Sequence, residues 1–171
     1  MHRTTTIAFC GVTAALAVVV MAVGSLLGLG LYAAPLLAGL CLLPVGERLG
    51  RKTHVLLWLA VSALNFMLVP DIEQNLLFLC LFGCYPILRS VCHKQPKALC
   101  LLSKFLYFNI VVVALEALVM LFLVPEAMEA PLLLLLLLLG NVTFCCYDLL
   151  LPRVQLLLDR RLGRFLPPRH K

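Results

Sequence analysis

The strongest constraint in this sequence is the absence of any charged residue between Arg3 and Glu47. A transmembrane helix needs about 20 apolar residues, so this stretch has room for two such helices. The whole chain is 63% hydrophobic and 13% charged, whereas charged residues make up about a quarter of an ordinary soluble domain. The sequence therefore predicts an all-α integral membrane protein and excludes a soluble globular domain.

Four further apolar segments follow, and the chain of 171 residues shows no internal repeat. The predicted transmembrane helices, six in all, cover residues 7–28, 31–46, 55–69, 73–88, 104–124 and 131–152. The second, third and fourth are short, so they need flanking residues or a locally thinner bilayer. We expect one six-helix transmembrane domain over residues 1–152. A basic, amphipathic tail, residues 153–171, would lie along the inner surface near anionic lipid.

Charge is sorted between alternate loops of this predicted bundle. All 14 Lys and Arg residues fall at the N-terminus, between segments two and three, between four and five, or after segment six. The other loops carry only acids, namely Asp71 with Glu73 and Glu126 with Glu129. Because basic loops stay on the cytoplasmic side, this pattern predicts a multi-pass cell-membrane protein with both termini cytoplasmic. Alternatively, the first segment, which ends in Ala22-Val23-Gly24, is a signal peptide, and five spans would remain.

The location of the positive charge and the spacing of the cysteines exclude several classes of function. The net charge of +6 lies in the predicted inner loops and not on a soluble face, so we expect no nucleic-acid partner. The eight cysteines lack zinc-ribbon spacing. Cys92, His93 and Cys100 share one loop but would need a fourth ligand. With no phosphate-binding glycine loop and no nucleophile–base constellation, we expect no metal, no cofactor and no enzymatic activity.

Two ionisable residues lie inside predicted membrane segments, where they are costly and therefore informative. Glu116 follows Asn109 by seven residues, and Asp148 follows Asn141 by seven, so each pair lies on one helix face. For a hairpin centred near residue 128, the expected cross-helix contacts are Glu116 with Asn141 and Asn109 with Asp148. These contacts would either form a solute or proton site or join the two helices. For Asn109 and Asp148 the structural role is favoured; for Glu116 both roles stay open.

A second polar group follows the third segment. Asn65 lies in its outer half, and Pro70 introduces a turn that contains Asp71, Glu73 and Asn75. At the outer surface this cluster would bind a cationic or polar solute, or it would be a solvated turn in which an acidic residue caps the next helix. The predicted substrate-binding set is therefore Asn65, Asp71, Glu73, Asn75, Glu116 and Asn141.

The first segment is rich in small residues. Such residues let helix backbones approach each other, within one chain or between subunits. Gly24 and Gly28 form a GxxxG pattern, and Gly11 with Ala15 is closely related to it. The candidate docking residues are Gly11, Ala14, Ala15, Ala22, Gly24 and Gly28.

The stretch from Thr4 to Ala17, TTTIAFCGVTAALA, follows a basic N-terminus and precedes the other short segments. In this pattern the chain resembles the substrate-binding S-components of energy-coupling factor transporters. That family carries an AxxxA pattern on its first helix; here Gly11 precedes Ala15, and Ala14 precedes Val18. The resemblance implies an S-component-like bundle that docks a coupling membrane subunit with an ATPase pair. It also implies that the protein binds a small molecule at the outer face and then topples in the membrane.

These observations lead to three functional hypotheses. The first is a solute-binding transporter subunit, with Glu116, Asn65, Asn141 and the 71–75 loop as ligand candidates. The second is a non-catalytic scaffold or assembly protein that acts through helix–helix contacts and its basic tail. An intramembrane enzyme is the third.

Overall fold

The computed structural model describes residues 2–28, 32–86, 97–122 and 130–162, and every regular element in these ranges is helical. The α-helices are α1 (His2–Leu27), α2 (Ala33–Leu49), α3 (Arg51–Leu68), α4 (Ile72–Leu77), α5 (Lys97–Phe122) and α6 (Ala130–Leu162). A π-helical turn, Phe78–Phe82, continues α4. The prediction of an all-α protein is confirmed.

Three helices are long and apolar enough to cross a membrane. Their candidate spans are Thr4–Leu27 in α1, Leu99–Val119 in α5 and Leu137–Leu157 in α6. Ala33–Gly46 and Ile72–Phe82 are shorter apolar helices, below the 17 to 25 residues of a usual span. The part of the chain that the structure describes is thus helical, with three segments long and apolar enough to cross a membrane.

Short breaks separate the first four helices. Gly28 ends α1 at a φ of +60°, and Gly50 joins α2 to α3 at a φ of +88°, a region in which side chains with a Cβ are disfavoured. Pro70 lies in the short turn between α3 and α4. At the start of α4, the Asp71 carboxylate accepts a hydrogen bond from the Gln74 backbone N–H at 3.2 Å. Asp71 is therefore a helix cap.

The hydrophobic core consists of two clusters. Residues of α2 and of the π-helical turn belong to both. One lies among α1, α2 and α3 and contains Ala17, Met21, Leu42 and Val61, with Phe78 of the turn. The other is aromatic; its rings are Phe82, Tyr85, Phe108, Phe144 and Tyr147. Phe108 stacks on Phe144 with ring centroids 4.7 Å apart, and Tyr147 meets Phe82 edge-on at 5.2 Å. These ring contacts hold α5 and α6 against the turn after α4.

The last helix is longer than the predicted sixth segment. Helix α6 runs from Ala130 to Leu162 with Pro152 inside it. The first part of the predicted tail, up to Leu162, is therefore a continuation of the same helix, and residues 163–171 lie outside the described part.

Candidate functional site

Helix α4 brings most of the predicted ligand residues together. Successive residues on a helix point about 100° apart, so Glu73, Gln74 and Asn75 face three different neighbours. The Gln74 side chain donates to the Met21 carbonyl of α1 at 3.0 Å. The Asn75 amide instead faces α3 and donates to the Val69 carbonyl at 2.9 Å. Glu73 interacts electrostatically with Glu116 of α5, the helix on which α4 also packs.

Asn65 of α3 and Asn75 of α4 are both buried where these two helices meet. Asn65 is 0% exposed and Asn75 is 2% exposed. The Asn75 Nδ2 also donates a hydrogen bond of 3.4 Å to the main-chain carbonyl oxygen of Asn65. Three side-chain atoms of these two residues have no hydrogen-bond partner in the described part of the chain: Asn65 Nδ2, Asn65 Oδ1 and Asn75 Oδ1. Each buried unsatisfied polar atom costs about 1–3 kcal/mol. These three atoms therefore lower the stability of the fold unless they have a hydrogen-bond partner.

An acidic group lies beside this pair, on another face of α4. Glu116 is buried, and its charge acts on both Glu73 and Tyr32. Asp71 also acts on Glu73. Neither Glu73 nor Glu116 makes an ion pair or hydrogen bond with any residue that the structure describes. Glu73 therefore lies within electrostatic range of Asp71 and Glu116, and it shares α4, the helix that packs against α3, with Asn75.

Asn141 lies elsewhere, in a closed amide pair with Asn109. The Asn109 Nδ2 donates to Asn141 Oδ1 at 3.0 Å, and the Asn141 Nδ2 donates to Asn109 Oδ1 at 2.9 Å. Each amide also donates to the backbone carbonyl four residues earlier, at Phe105 or Leu137. The predicted contacts Glu116–Asn141 and Asn109–Asp148 are wrong. Asn109 faces residue 141, six positions before the predicted position near 147, because the two helices meet in a different register.

Asp148 has other partners, which the sequence pattern did not predict. The Lys104 Nζ lies 2.8 Å from Asp148 Oδ2, and the Tyr85 hydroxyl donates to Asp148 Oδ1 at 2.7 Å. The charge pattern groups Lys104 with the loop before the fifth segment, at whose first position it stands, whereas the structure places it inside the candidate span Leu99–Val119. A lysine inside an apolar helix was the available signal, since such a cation usually pairs with an acid.

The candidate docking residues of α1 divide into three groups. Gly24 is internal, because a Cβ there would collide with the Ala34 side chain of α2. Ala14 and Ala22 are half-buried and pack against the core. Gly11, Ala15 and Gly28 are exposed, and a Cβ added at Gly11 would meet nothing within 4 Å.

A buried histidine lies at the start of α3, far along the helix from Asn65. His54 is 1% exposed, and its Nε2 lies 3.3 Å from the Gly83 carbonyl, which requires an Nε2–H donor. Burial lowers the pKa of His54 below its ordinary value of 6.5, and the bond to Gly83 opposes this shift in part.

In the described residues, no group of three or more His, Cys, Asp or Glu side chains is placed to hold a metal ion. Cys92 and His93 of the loop considered above lie outside the described residues.

No protein-family model, curated protein or solved structure matches the chain.

Proposed function

We propose that this protein is a membrane-embedded solute-binding subunit of a transporter. The observation that carries the proposal is that the buried side chains of Asn65 and Asn75 have three polar atoms without a hydrogen-bond partner in the described chain. A small molecule with hydrogen-bonding groups would satisfy them, and it would offset the cost of burying these amides. Such a role explains why the fold keeps three unpaired amide atoms in an apolar interior.

The proposed topology directs this site outward. Of the 14 basic residues, 12 lie outside the candidate spans, in segments assigned to the cytoplasmic side, while Lys104 and Arg153 lie within the spans Leu99–Val119 and Leu137–Leu157. Asp71 and Glu73 lie at the opposite end of the predicted bundle. With six spans and cytoplasmic termini, the α3–α4 turn would face the exterior. Asn65 would then lie one turn below the outer surface, within reach of a solute arriving from outside.

Energy for transport would come from a separate ATPase module, because the sequence contains no phosphate-binding glycine loop. The exposed face of α1 around Gly11 and Ala15 is the proposed docking surface for a coupling membrane subunit. Gly24 already has an internal partner, so it stays outside this surface.

A scaffold or assembly role is the second candidate. The same exposed small residues of α1 favour it, since close helix contact with another membrane protein would use this face. A scaffold has no need of unsatisfied amides in its interior, and this difference separates the two functions.

Native mass spectrometry of the full chain in lipid nanodiscs tests the proposal. We expect a small molecule to remain bound to the wild-type protein and to be lost from the Asn65→Leu, Asn75→Leu double variant. The control is Asn109→Leu, Asn141→Leu, which also removes two amides but from a closed pair. The scaffold role would gain support if no variant carried a small molecule and Gly11→Leu abolished capture of a membrane partner.

Cysteine labelling in intact cells tests the topology. A cysteine placed at Asp71 should react with a membrane-impermeant maleimide added outside, while one placed at Lys52 should react only after lysis. Labelling of position 52 from outside would reject the outward-facing site.

A further inference from the structure

We infer that Glu116 is a proton-binding site, whose carboxyl group is a neutral acid in the resting protein. The inference does not depend on the solute proposed at Asn65 and Asn75. It follows from the burial of Glu116 inside an apolar helix and from the charges on the helices around it.

Glu116 is a buried acid in an apolar segment. It lies near the end of the candidate span Leu99–Val119 and is 7% exposed. Its side chain makes no hydrogen bond or ion pair with any residue that the structure describes. An ionised carboxylate without a partner costs far more to bury than a neutral carboxyl group does. A carboxyl group in this position therefore takes up a proton or a cation.

The chain offers Glu116 no counter-ion nearby. No Lys, Arg or His occurs in three long stretches of the sequence, residues 4–47, 55–88 and 105–152. These stretches include all of α4, the π-helical turn and most of every other helix. The nearest cation along α5 is Lys104, twelve residues before Glu116, which is about 18 Å at the rise of an α-helix. Lys104 is already paired with Asp148.

The titratable groups that interact with Glu116 are an acid and a phenol. They are Glu73 of α4 and Tyr32, which precedes α2. Because two carboxylates repel each other, ionisation of Glu73 opposes ionisation of Glu116. Glu116 is buried whereas Glu73 is half-buried, and the more buried carboxyl group loses more hydration when it ionises. We therefore place the proton on Glu116.

Helix α6 and the π-helical turn add no charge at this level. Asn109 lies opposite Asn141, and Lys104 lies opposite Asp148, so α5 and α6 run antiparallel. Seven residues beyond Asn109, Glu116 is level with about residue 134, within the leucine run of α6. The π-helical turn also packs on α5, and its one titratable side chain is the thiol of a cysteine, residue 80.

Asp148 shows the opposite arrangement in the same two helices. It also lies in a candidate span, but the Lys104 Nζ is 2.8 Å from its Oδ2, and the Tyr85 hydroxyl donates to its Oδ1 at 2.7 Å. The cation and the hydroxyl favour the ionised form of Asp148. The helix pair thus contains one acid with a counter-ion and one without, and only Glu116 should carry a proton at neutral pH.

Infrared spectroscopy of the full-length protein tests this assignment, because a protonated carboxyl group has a C=O stretching band that a carboxylate lacks. The protein is measured at pH 7 in dodecyl maltoside, which has no carbonyl group, and in a buffer without Na⁺ or K⁺. We expect the band in the wild type and its loss in Glu116→Gln. Glu73→Gln and Asp148→Asn are the matched controls and should keep it.

Dicyclohexylcarbodiimide gives a second readout that needs no variant. The proton of a neutral carboxyl group moves to one carbodiimide nitrogen while the carboxyl oxygen bonds to the central carbon. Transfer of the acyl group from oxygen to nitrogen then gives a stable N-acylurea, and no atom is lost. In the wild type we expect the peptide that contains Glu116, and not the one that contains Asp148, to gain the mass of one carbodiimide.

Four results would overturn the inference. The wild type could lack the protonated-carboxyl band at pH 7, or Glu73→Gln could remove it in place of Glu116→Gln. Loss of the band when Na⁺ is added at constant pH would show that Glu116 binds a cation and not a proton. Modification of Asp148 in preference to Glu116 would contradict the effect assigned to the counter-ion. Each of these results would leave the solute-binding proposal at Asn65 and Asn75 standing.

Discussion

Asn109 and Asn141 exchange two side-chain hydrogen bonds across α5 and α6, and each amide also donates to a carbonyl of its own helix. This pair sets the register of the two helices. It also shows that the fold is able to pair the amides of partly buried asparagines, whereas the fully buried Asn65 and Asn75 have side-chain atoms without a partner in the described part of the chain.

Breaking the closed pair on one side should cost more than removing it. Asn109→Leu leaves the Asn141 oxygen without its partner, so we expect a loss of about 1–2 kcal/mol in the free energy of unfolding. The double variant Asn109→Leu, Asn141→Leu should lose less than the two single variants combined. A double-mutant cycle of unfolding in detergent measures this coupling. Simple additivity of the two losses would show that the amides do not interact.

The ion pair between Lys104 and Asp148 should behave in a similar way, with a larger effect. Its side chains are 9% and 21% exposed, so Lys104→Met would leave a largely buried carboxylate with only part of its partners. We expect a destabilisation of about 2–3 kcal/mol, reduced from the value for a fully buried pair because Asp148 retains some exposure. Lys104→Met, Asp148→Leu should recover much of this loss.

Tyr85→Phe tests a further contact of this network. It removes the hydroxyl that donates to Asp148 but keeps the ring packed on Phe144. A loss of about 1 kcal/mol is expected from the missing hydrogen bond. No change in stability would mean that the hydroxyl contributes nothing to the pair.

Two glycines should respond oppositely to alanine. At Gly39 an added Cβ would lie 2.6 Å from the Phe82 carbonyl oxygen. Helix α2 and the π-helical turn would then have to move apart. We expect Gly39→Ala to destabilise the protein by about 1–3 kcal/mol. Gly11→Ala is the matched control, since nothing lies within 4 Å of its Cβ; it should be neutral or stabilising by up to about 1 kcal/mol. Equal effects of the two substitutions on the unfolding midpoint would contradict the packing described for α2.

His54 should make the protein less stable in acid. Because burial lowers its pKa in the folded state, protonation favours the unfolded chain once the pH falls below about 6.5. The stability present above that pH is lost as the pH decreases toward the lower folded-state pKa. His54→Gln removes this titration, so the difference in unfolding free energy between pH 7.5 and 5 should be smaller in the variant. An equal difference in both proteins would exclude His54 as the source.

The sequence predicted the helical class because an uncharged stretch of this length has few other structures available. Charge and apolar length were also sufficient to locate α1, α5 and α6. The pairing of polar side chains was harder to predict. The choice of Asn141 or Asp148 as the partner of Asn109 depends on helix register, which apolar periodicity does not determine. The three faces of α4 depend in turn on Asp71 capping it, and the π-helical turn at Phe78 leaves no signal in composition.

An experimental structure of the full-length protein, at a resolution that distinguishes an organic molecule from water, tests the central claim most directly. We expect solute density within hydrogen-bond distance of the unpaired side-chain atoms of Asn65 and Asn75. A single ordered water at this position, or Asn65 and Asn75 bonded to each other and to the backbone with no open atoms, would contradict it.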